Sequence, residues 1–292
     1  MSKARQVALN LYMDILYLLP KRIAHKLLYK KRIGRKLALD NPKNLNEKIQ
    51  YLILNKYGDK EGKLADKQSV KSYVERLQVG NLLIPRTIKI YKTVDDIDTK
   101  ELPEKFVLKC NHGSGVVFIC KDKENFDLDG AKKSLKKCLK QNFAKTALEY
   151  HYSTISPVII AEEYLDDGKH KNPIDYKIYC FNGKAESILV CSNRENKLKL
   201  NDFDLDWNEL DYTTPEFRSS EKFEKPKHLK EMIMIAEQLS KGIPFVRIDL
   251  YEIGDKIYFG EYTFTPAAGL IQYYKQKALD RLGEKLDLNW YN

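Results

Sequence analysis

Apolar positions between residues 44 and 78 recur at helical spacing, with Leu45, Ile49, Leu52 and Leu54 in one run. A second helical run, 65–77, follows a glycine-containing turn at 57–63. From Pro85 the period shortens toward two, and Thr87–Tyr91 alternates as a strand does. Short β-branched runs at 106–109 and 116–120 flank a tight turn at 111–115. Helical spacing returns over 128–143 through Leu128, Leu135, Cys138, Leu139 and Phe143, and 158–165 reads as a buried strand ending in an acidic turn. In the C-terminal half, 176–181 and 186–192 flank Asn182-Gly183, the dipeptide that type I′ hairpin turns favour. Pro226 opens a helix carrying Leu229, Met232, Ile233, Ala236 and Leu239, with Gly242 placed as its stop. A second hairpin follows at 246–253 and 257–264. Hairpins mixed with helices, without regular βαβ units, predict an α+β fold with antiparallel sheets.

The length, 292 residues, allows about two domains at ~150 residues each. Five scattered cysteines with no CxxC pair argue against a disulfide framework or zinc ribbon and for a reducing compartment. The longest apolar stretch, 7–20, contains Asn10 and Asp14 and is about six residues short of a membrane span. The expected location is therefore cytoplasmic. Charge changes the picture at one end. The formal net charge is +10, and residues 1–36 hold ten Lys and Arg against a single acid, Asp14. Leucines and isoleucines interleave with these bases, so the segment reads as a basic amphipathic surface for anionic lipid or another polyanion, or as a solvated helix covering the main body.

Four segments carry candidate chemistry. In FVLKCNHGSGVVFIC (106–120), Lys109 precedes a turn of His112, Gly113, Ser114 and Gly115. Glycines let backbone N–H groups approach phosphate oxygens, although the same residues also make a plain hairpin turn. In VIIAEEYL (158–165), Glu162 or Glu163 could meet an adenine amino group beside Leu165, or stand in solvent at a strand end. In DYKIYCFNG (175–183), Lys177 shares a face with Tyr179 and Phe181, where it needs a phosphate or a salt-bridge partner. In VRIDLYEIGDKIYFGEYTFTP (246–266), Arg247 and Asp249 share one face of the first strand, and Glu261 and Thr263 share one face of the second. Carboxylates gathered among apolar residues repel unless a cation joins them, and oxygen donors suit Mg²⁺ held with substrate phosphates. Ordinary cross-strand pairs are the alternative there.

Taken together, a Lys–Gly loop, a strand ending in Glu-x-x-Leu, a lysine strand and an Arg-x-Asp…Glu-x-Thr hairpin resemble the ATP-grasp superfamily of carboxylate–amine ligases. LADKQSVKSYV (64–74), LPEKFVLKCNHGSG (102–115), DYKIYCFNGK (175–184) and VRIDLYEIGDKIYFGEYTFTPAAG (246–269) look closer still to its TupA-like branch, associated with teichuronopeptide and capsular polysaccharide synthesis. The resemblance covers roughly residues 40–285. It implies a basic helical region over 1–80, a small lid subdomain over 81–165 and a large subdomain over 166–292 with the metal hairpin. It makes Lys109 and Lys177 phosphate ligands, places Glu162, Glu163 and Leu165 at an adenine hinge, and puts Asp175 at the ribose. Asp249 and Glu261 bind Mg²⁺ on this reading, with Arg247 near the transferred phosphoryl group. Thr263 stands where many relatives carry Asn, and its hydroxyl is the weaker ligand. The implied reaction uses ATP to join a uronate of a sugar or polysaccharide to a small amine, an amino acid or amino alcohol. No nucleic acid is expected as a partner. The competing reading is a metal-dependent glycosyltransferase using the DxD spacings of NDFDLDW (201–207).

Parity sets a condition on the metal hairpin. A two-residue turn, 254–255, pairs Ile253 with Lys256 and sends Glu261 to the face opposite Asp249, because successive side chains alternate. A three-residue loop, or a compensating bulge, brings Asp249 opposite Glu261 and Arg247 opposite Thr263. The sequence predicts one or the other.

Overall fold

The computed structural model describes residues 3–113, 115–170, 172–192 and 198–290. Two antiparallel sheets organise the chain. Helices α1 (Lys3–Leu18) and α2 (Lys21–Ile33) come first, followed by α3 (Leu45–Asn55), α4 (Asp59–Ala65) and α5 (Ser69–Leu77). The start of α3 is fixed by a capping box in which Asn44 and Glu47 satisfy each other's backbone N–H groups. The strands β1 (Leu82–Leu83), β2 (Thr87–Tyr91), β3 (Phe106–Cys110) and β4 (Val117–Cys120) lead into α6 (Leu128–Leu139) and α7 (Phe143–Ala147). Then come β5 (Ile159–Glu163), β6 (Asp175–Phe181), β7 (Lys184–Ser192), β8 (Lys199–Phe203) and β9 (Glu209–Leu210). Helix α8 (Leu229–Leu239), the hairpin β10 (Phe245–Ile253) and β11 (Lys256–Thr263), and α9 (Gln276–Lys285) close the chain.

The smaller sheet has the order β2-β5-β3-β4 and the larger β1-β11-β10-β6-β7-β8-β9. Every strand pair is antiparallel except β1 with β11. The Asn182-Gly183 turn forms as predicted, both residues having positive φ (51° and 76°). Buried side chains form one core on the larger sheet, with Leu229, Met232, Ile235, Ala236 and Leu239 of α8 among them. A second core, centred on Phe106, Leu108, Leu135 and Ile159, joins the smaller sheet to α6.

Two expectations need correction. The segment 57–63 is not a turn: most of it is α4. The second of its two glycines serves packing instead, since a Cβ on Gly62 would lie 2.4 Å from the His151 carbonyl oxygen and 2.1 Å from Thr154 Oγ1. The helix expected over 128–143 breaks into α6 and α7, with Asn142 capping the second through its side chain. The N-terminal helices are built into the body. Met13, Leu16, Ala24, Leu28 and Tyr29 share a core with Leu148 and Leu270. Among the described residues no helix is long and apolar enough to cross a membrane.

Candidate active site

Three neighbouring strands of the larger sheet place their side chains in rows. Lys177 on β6 is opposite Asp249 on β10, which is opposite Glu261 on β11. One step along the sheet the row is Tyr179, Arg247 and Thr263. The turn that closes the hairpin is the two-residue kind, with Ile253 paired to Lys256, and a bulge restores parity. Asp249 pairs with Glu261 and Leu250 with Phe259, so Gly260 is the extra residue. A Cβ at that position would sit 2.8 Å from the Asp249 carbonyl oxygen. Glycine is what lets the bulge close against β10. A lone glycine inside a strand pattern is a recognised bulge signal, and here it marks the residue beside Glu261.

Each carboxylate in these rows is held by a cation. Arg247 donates twice to Asp249, from Nε (2.6 Å) and Nη2 (2.7 Å), and Nη2 reaches Thr263 Oγ1 at 3.1 Å. Lys177 Nζ donates to Asp249 and, at 2.6 Å, to Asp175. Lys67, in the turn before α5, pairs with Glu261 at 3.1 Å and donates to the Gly113 carbonyl at 2.7 Å, which links the glycine loop to the hairpin. Burial pushes the Asp249 carboxyl upward against the pull of Arg247 and Lys177. Burial acts the same way on Glu261, yet Lys67, Lys177 and Arg247 outweigh it and hold that carboxyl well below the usual range. Asp249 and Glu261 therefore face each other as hard oxygen donors, the chemistry Mg²⁺ takes when phosphates complete its shell. Among the described residues no group of three or more His, Cys, Asp or Glu could cage a metal ion by itself.

The smaller sheet holds a second charged cluster. Glu162 on β5 accepts from Lys109 on β3 (2.5 Å) through one oxygen and from Lys71 on α5 (2.6 Å) through the other. Although burial works against it, the two lysines keep the Glu162 carboxyl below its ordinary range. Glu163 is used differently: its Oε1 accepts from the Arg86 backbone N–H at 2.7 Å, clasping the start of β2. Leu165 lies just beyond β5, half-buried. Within the loop, Gly113 and Gly115 have φ of 76° and 87°. Gly113 is also required by packing, because the Phe143 ring occupies the space its Cβ would fill. His112 is buried edge-on against Phe143 with Nε2 3.3 Å from the Gln141 carbonyl, and burial pushes its ring toward the neutral form. Ser114 lies outside the described residues.

Beside the hairpin cluster is a cavity of about 180 Å³, walled by Lys67, Gly113, Glu149, Tyr152, Arg247 and Glu261. The sequence assigned no role to Lys67, Lys71 or Glu149. The two lysines stand four apart in the sequence, Lys67 in the turn before α5 and Lys71 in its first turn. Glu149 carries no local signal at all, since only the fold brings it to the hairpin. The DxD segment does not converge. Asp202 is buried, accepting from Thr213 Oγ1 (2.6 Å) and the Tyr274 hydroxyl (2.5 Å), whereas Asp204 caps its own turn through Asp206 and Asn208.

Residues 47–287 match the TupA-like ATPgrasp family. No curated protein matches the sequence significantly. Among solved structures, the D-alanine–D-alanine ligase of Bacillus anthracis in complex with ATP aligns at 18% identity and a TM-score of 0.45, over 84% of this chain and 66% of that one. The D-cycloserine synthetase DcsG aligns at 13% identity and a TM-score of 0.42, over 78% and 71%. The chain thus spans less than two thirds of the length of the Bacillus anthracis ligase it matches.

Proposed function

The chain belongs to the TupA-like ATPgrasp family, and from that premise we propose that it uses ATP to join a carboxylate to an amine. The observation that carries this reading is the row Lys177–Asp249–Glu261, with Arg247 beside it; Glu261 and Arg247 line the same cavity as Gly113 of the glycine loop. A substrate carboxylate oxygen attacks the γ-phosphorus of ATP; the bond to the bridging oxygen breaks, and ADP leaves. The amine nitrogen then attacks the acyl carbon, phosphate departs, and the nitrogen sheds a proton to give the amide. Little covalent chemistry falls to the protein, whose work is positioning and charge neutralisation.

Lys109, Lys71 and Lys177 bind the nucleotide phosphates on this reading, exchanging their carboxylate partners for phosphate oxygens. Glu162 holds two of these lysines in place, and the backbone around Glu163 and Leu165 borders the adenine. Asp175 is available to the ribose. Arg247 steadies the phosphoryl group in transfer. Asp249, Glu261 and the Thr263 hydroxyl would hold Mg²⁺, which neutralises phosphate charge when bound. The buried ring of His112 makes it a packing residue of the loop. The four-stranded sheet serves as the lid subdomain and the seven-stranded sheet as the larger one.

A uronate-bearing sugar or polymer is the proposed carboxylate, because this branch is associated with such polymers. A small amino acid or amino alcohol is the proposed amine, and the reaction belongs to the cytoplasmic side. The decisive experiment supplies ATP, Mg²⁺, a uronate and an amine, and follows nucleotide release. ADP formation that needs both co-substrates and is lost in Asp249→Asn is the expected result. Release of UDP from a UDP-sugar instead would transfer the protein to the glycosyltransferases.

A further inference from the structure

Every acid of the two clusters has a cation against it: Asp249 has Arg247 and Lys177, Asp175 has Lys177, Glu261 has Lys67, and Glu162 has Lys71 and Lys109. Glu149 differs. It lies between α7 and a 3-10 turn, Tyr150–Thr154, is only 8% exposed, and lines the cavity that Arg247 and Glu261 also line. Its carboxylate accepts a hydrogen bond from the Thr265 hydroxyl, and no Lys or Arg among the described residues forms an ion pair with it. A buried carboxylate answered only by a hydroxyl is an expensive arrangement, and a bound cation relieves it.

We propose that Glu149 receives the ammonium group of a small primary amine, so that this cavity is the amine subsite of the ligase. The assignment of the amine as nucleophile rests on the ligation reading above; the binding itself does not. Burial pushes the carboxyl up to about 7, with only the Thr265 bond opposing. Size narrows the ligand. Water claims roughly 30 Å³ apiece in the liquid, so 180 Å³ accommodates a molecule of about six heavy atoms. That suits the amine end of an amino acid or amino alcohol. Arg247 and Glu261 line the same cavity as Glu149 and Tyr152, which places the nucleophile next to the phosphoryl-transfer residues.

The test uses the full chain with Mg²⁺ and a non-hydrolysable ATP analogue, titrated calorimetrically with ethanolamine, L-alanine and L-glutamate. At least one of these amines is expected to bind the native protein. Glu149→Gln, which preserves size and can still bond to Thr265, should weaken that amine at least tenfold while leaving nucleotide affinity within twofold. Equal amine binding by the variant, or no binding of any of the three by the native chain, overturns the proposal. Should the variant fail to fold, the ¹³C carboxyl resonance of Glu149 in the native protein decides the matter. It must move on adding the amine and saturate at the same concentration as the heat; a stationary resonance overturns the site. A native protein that binds the amine through Glu149 yet never forms ADP would remove the ligation reading and leave this site standing.

Discussion

Lys177 Nζ is shared between Asp175 and Asp249, with a tenth of its side chain exposed. Removing it leaves Asp249 to Arg247 alone and Asp175 without that ion pair. Breaking a buried ion pair costs about 3–5 kcal/mol, and the remaining arginine places Lys177→Ala at the lower end. Lys109 differs, because Glu162 keeps Lys71 when Lys109 is lost. Lys109→Ala is therefore expected to retain its Tm within a few degrees and lose about tenfold in ATP affinity by calorimetry, whereas Lys177→Ala loses both. Unchanged affinity in both variants would take the lysines out of the phosphate site. Asp202 supplies a second test at this scale. Burial pushes its carboxyl up to about 7, from 3.8 in an unfolded chain. The folded state thus holds that proton more tightly, so the contribution is complete below pH ~4 and lost as pH rises toward 7. The maximum loss is on the order of 4 kcal/mol. Asp202→Asn cannot ionise, so its stability relative to the native chain should improve steadily from pH 4 to 7 in thermal melts. A difference that stays flat with pH would contradict the buried environment. Legibility at this scale followed sequence distance: Lys109, Lys177, Asp249 and Glu261 announced themselves inside strand motifs. Glu149 meets its partner Thr265 across 116 residues, and nothing local reports that.

The hairpin of β10 and β11 shows what a pattern argument can and cannot resolve about an element. Alternation demanded an odd loop or a bulge, and the chain uses the bulge, at Gly260, with a two-residue turn at 254–255. Parity alone could not choose, since both solutions put Asp249 opposite Glu261. The deciding fact is the 2.8 Å that separates a would-be Cβ of Gly260 from the Asp249 carbonyl oxygen. Gly260→Ala must therefore push β10 and β11 apart at the row that carries both acids. Overpacking of this kind costs about 1–3 kcal/mol. The expected outcome is a lower Tm together with loss of Mg²⁺-dependent ADP formation well beyond the loss of stability. A variant that keeps full turnover would show that the acids need not oppose each other. Gly62 teaches the converse lesson. Glycine was taken as a turn signal there, but it marks the close approach of α4 to the His151 carbonyl, a tertiary contact that propensity cannot see.

For the molecule as a whole, the basic N-terminal segment belongs to both readings the sequence left open. One side of α1 and α2 is core, and α1 also pairs Asp14 with Lys145 of α7 at 2.9 Å. His25 of α2 meets Gln50 at 2.5 Å, and Gln50 donates to the carbonyls of Ala268 (2.8 Å) and Gly269 (3.1 Å) in the turn that rims the cavity. The other side leaves Val7, Leu11, Ile15 and Leu18 between 53% and 85% exposed, an apolar stripe flanked by lysines and arginines. Deleting residues 1–36 should consequently lower Tm by several degrees and weaken turnover. Replacing Leu11, Ile15 and Leu18 by Ser should leave both intact while abolishing sedimentation with phosphatidylglycerol vesicles. Vesicle binding that survives would assign the stripe elsewhere.

The pairing of acids with bases in the two clusters carries one more implication. Five cations, Lys67, Lys71, Lys109, Lys177 and Arg247, are matched in advance by the carboxylates of Glu162, Asp175, Asp249 and Glu261. These carboxylates do the work that dissolved anions do on an open basic patch, and they are fixed to the chain. When a polyphosphate arrives it displaces tethered counterions, of which Asp249 and Glu261 would pass to the accompanying metal, so few mobile ions return to the solvent. The usual steep decline of phosphate affinity with ionic strength arises from that return. Here it is largely absent, and the logarithm of ATP affinity should fall only shallowly against the logarithm of salt concentration.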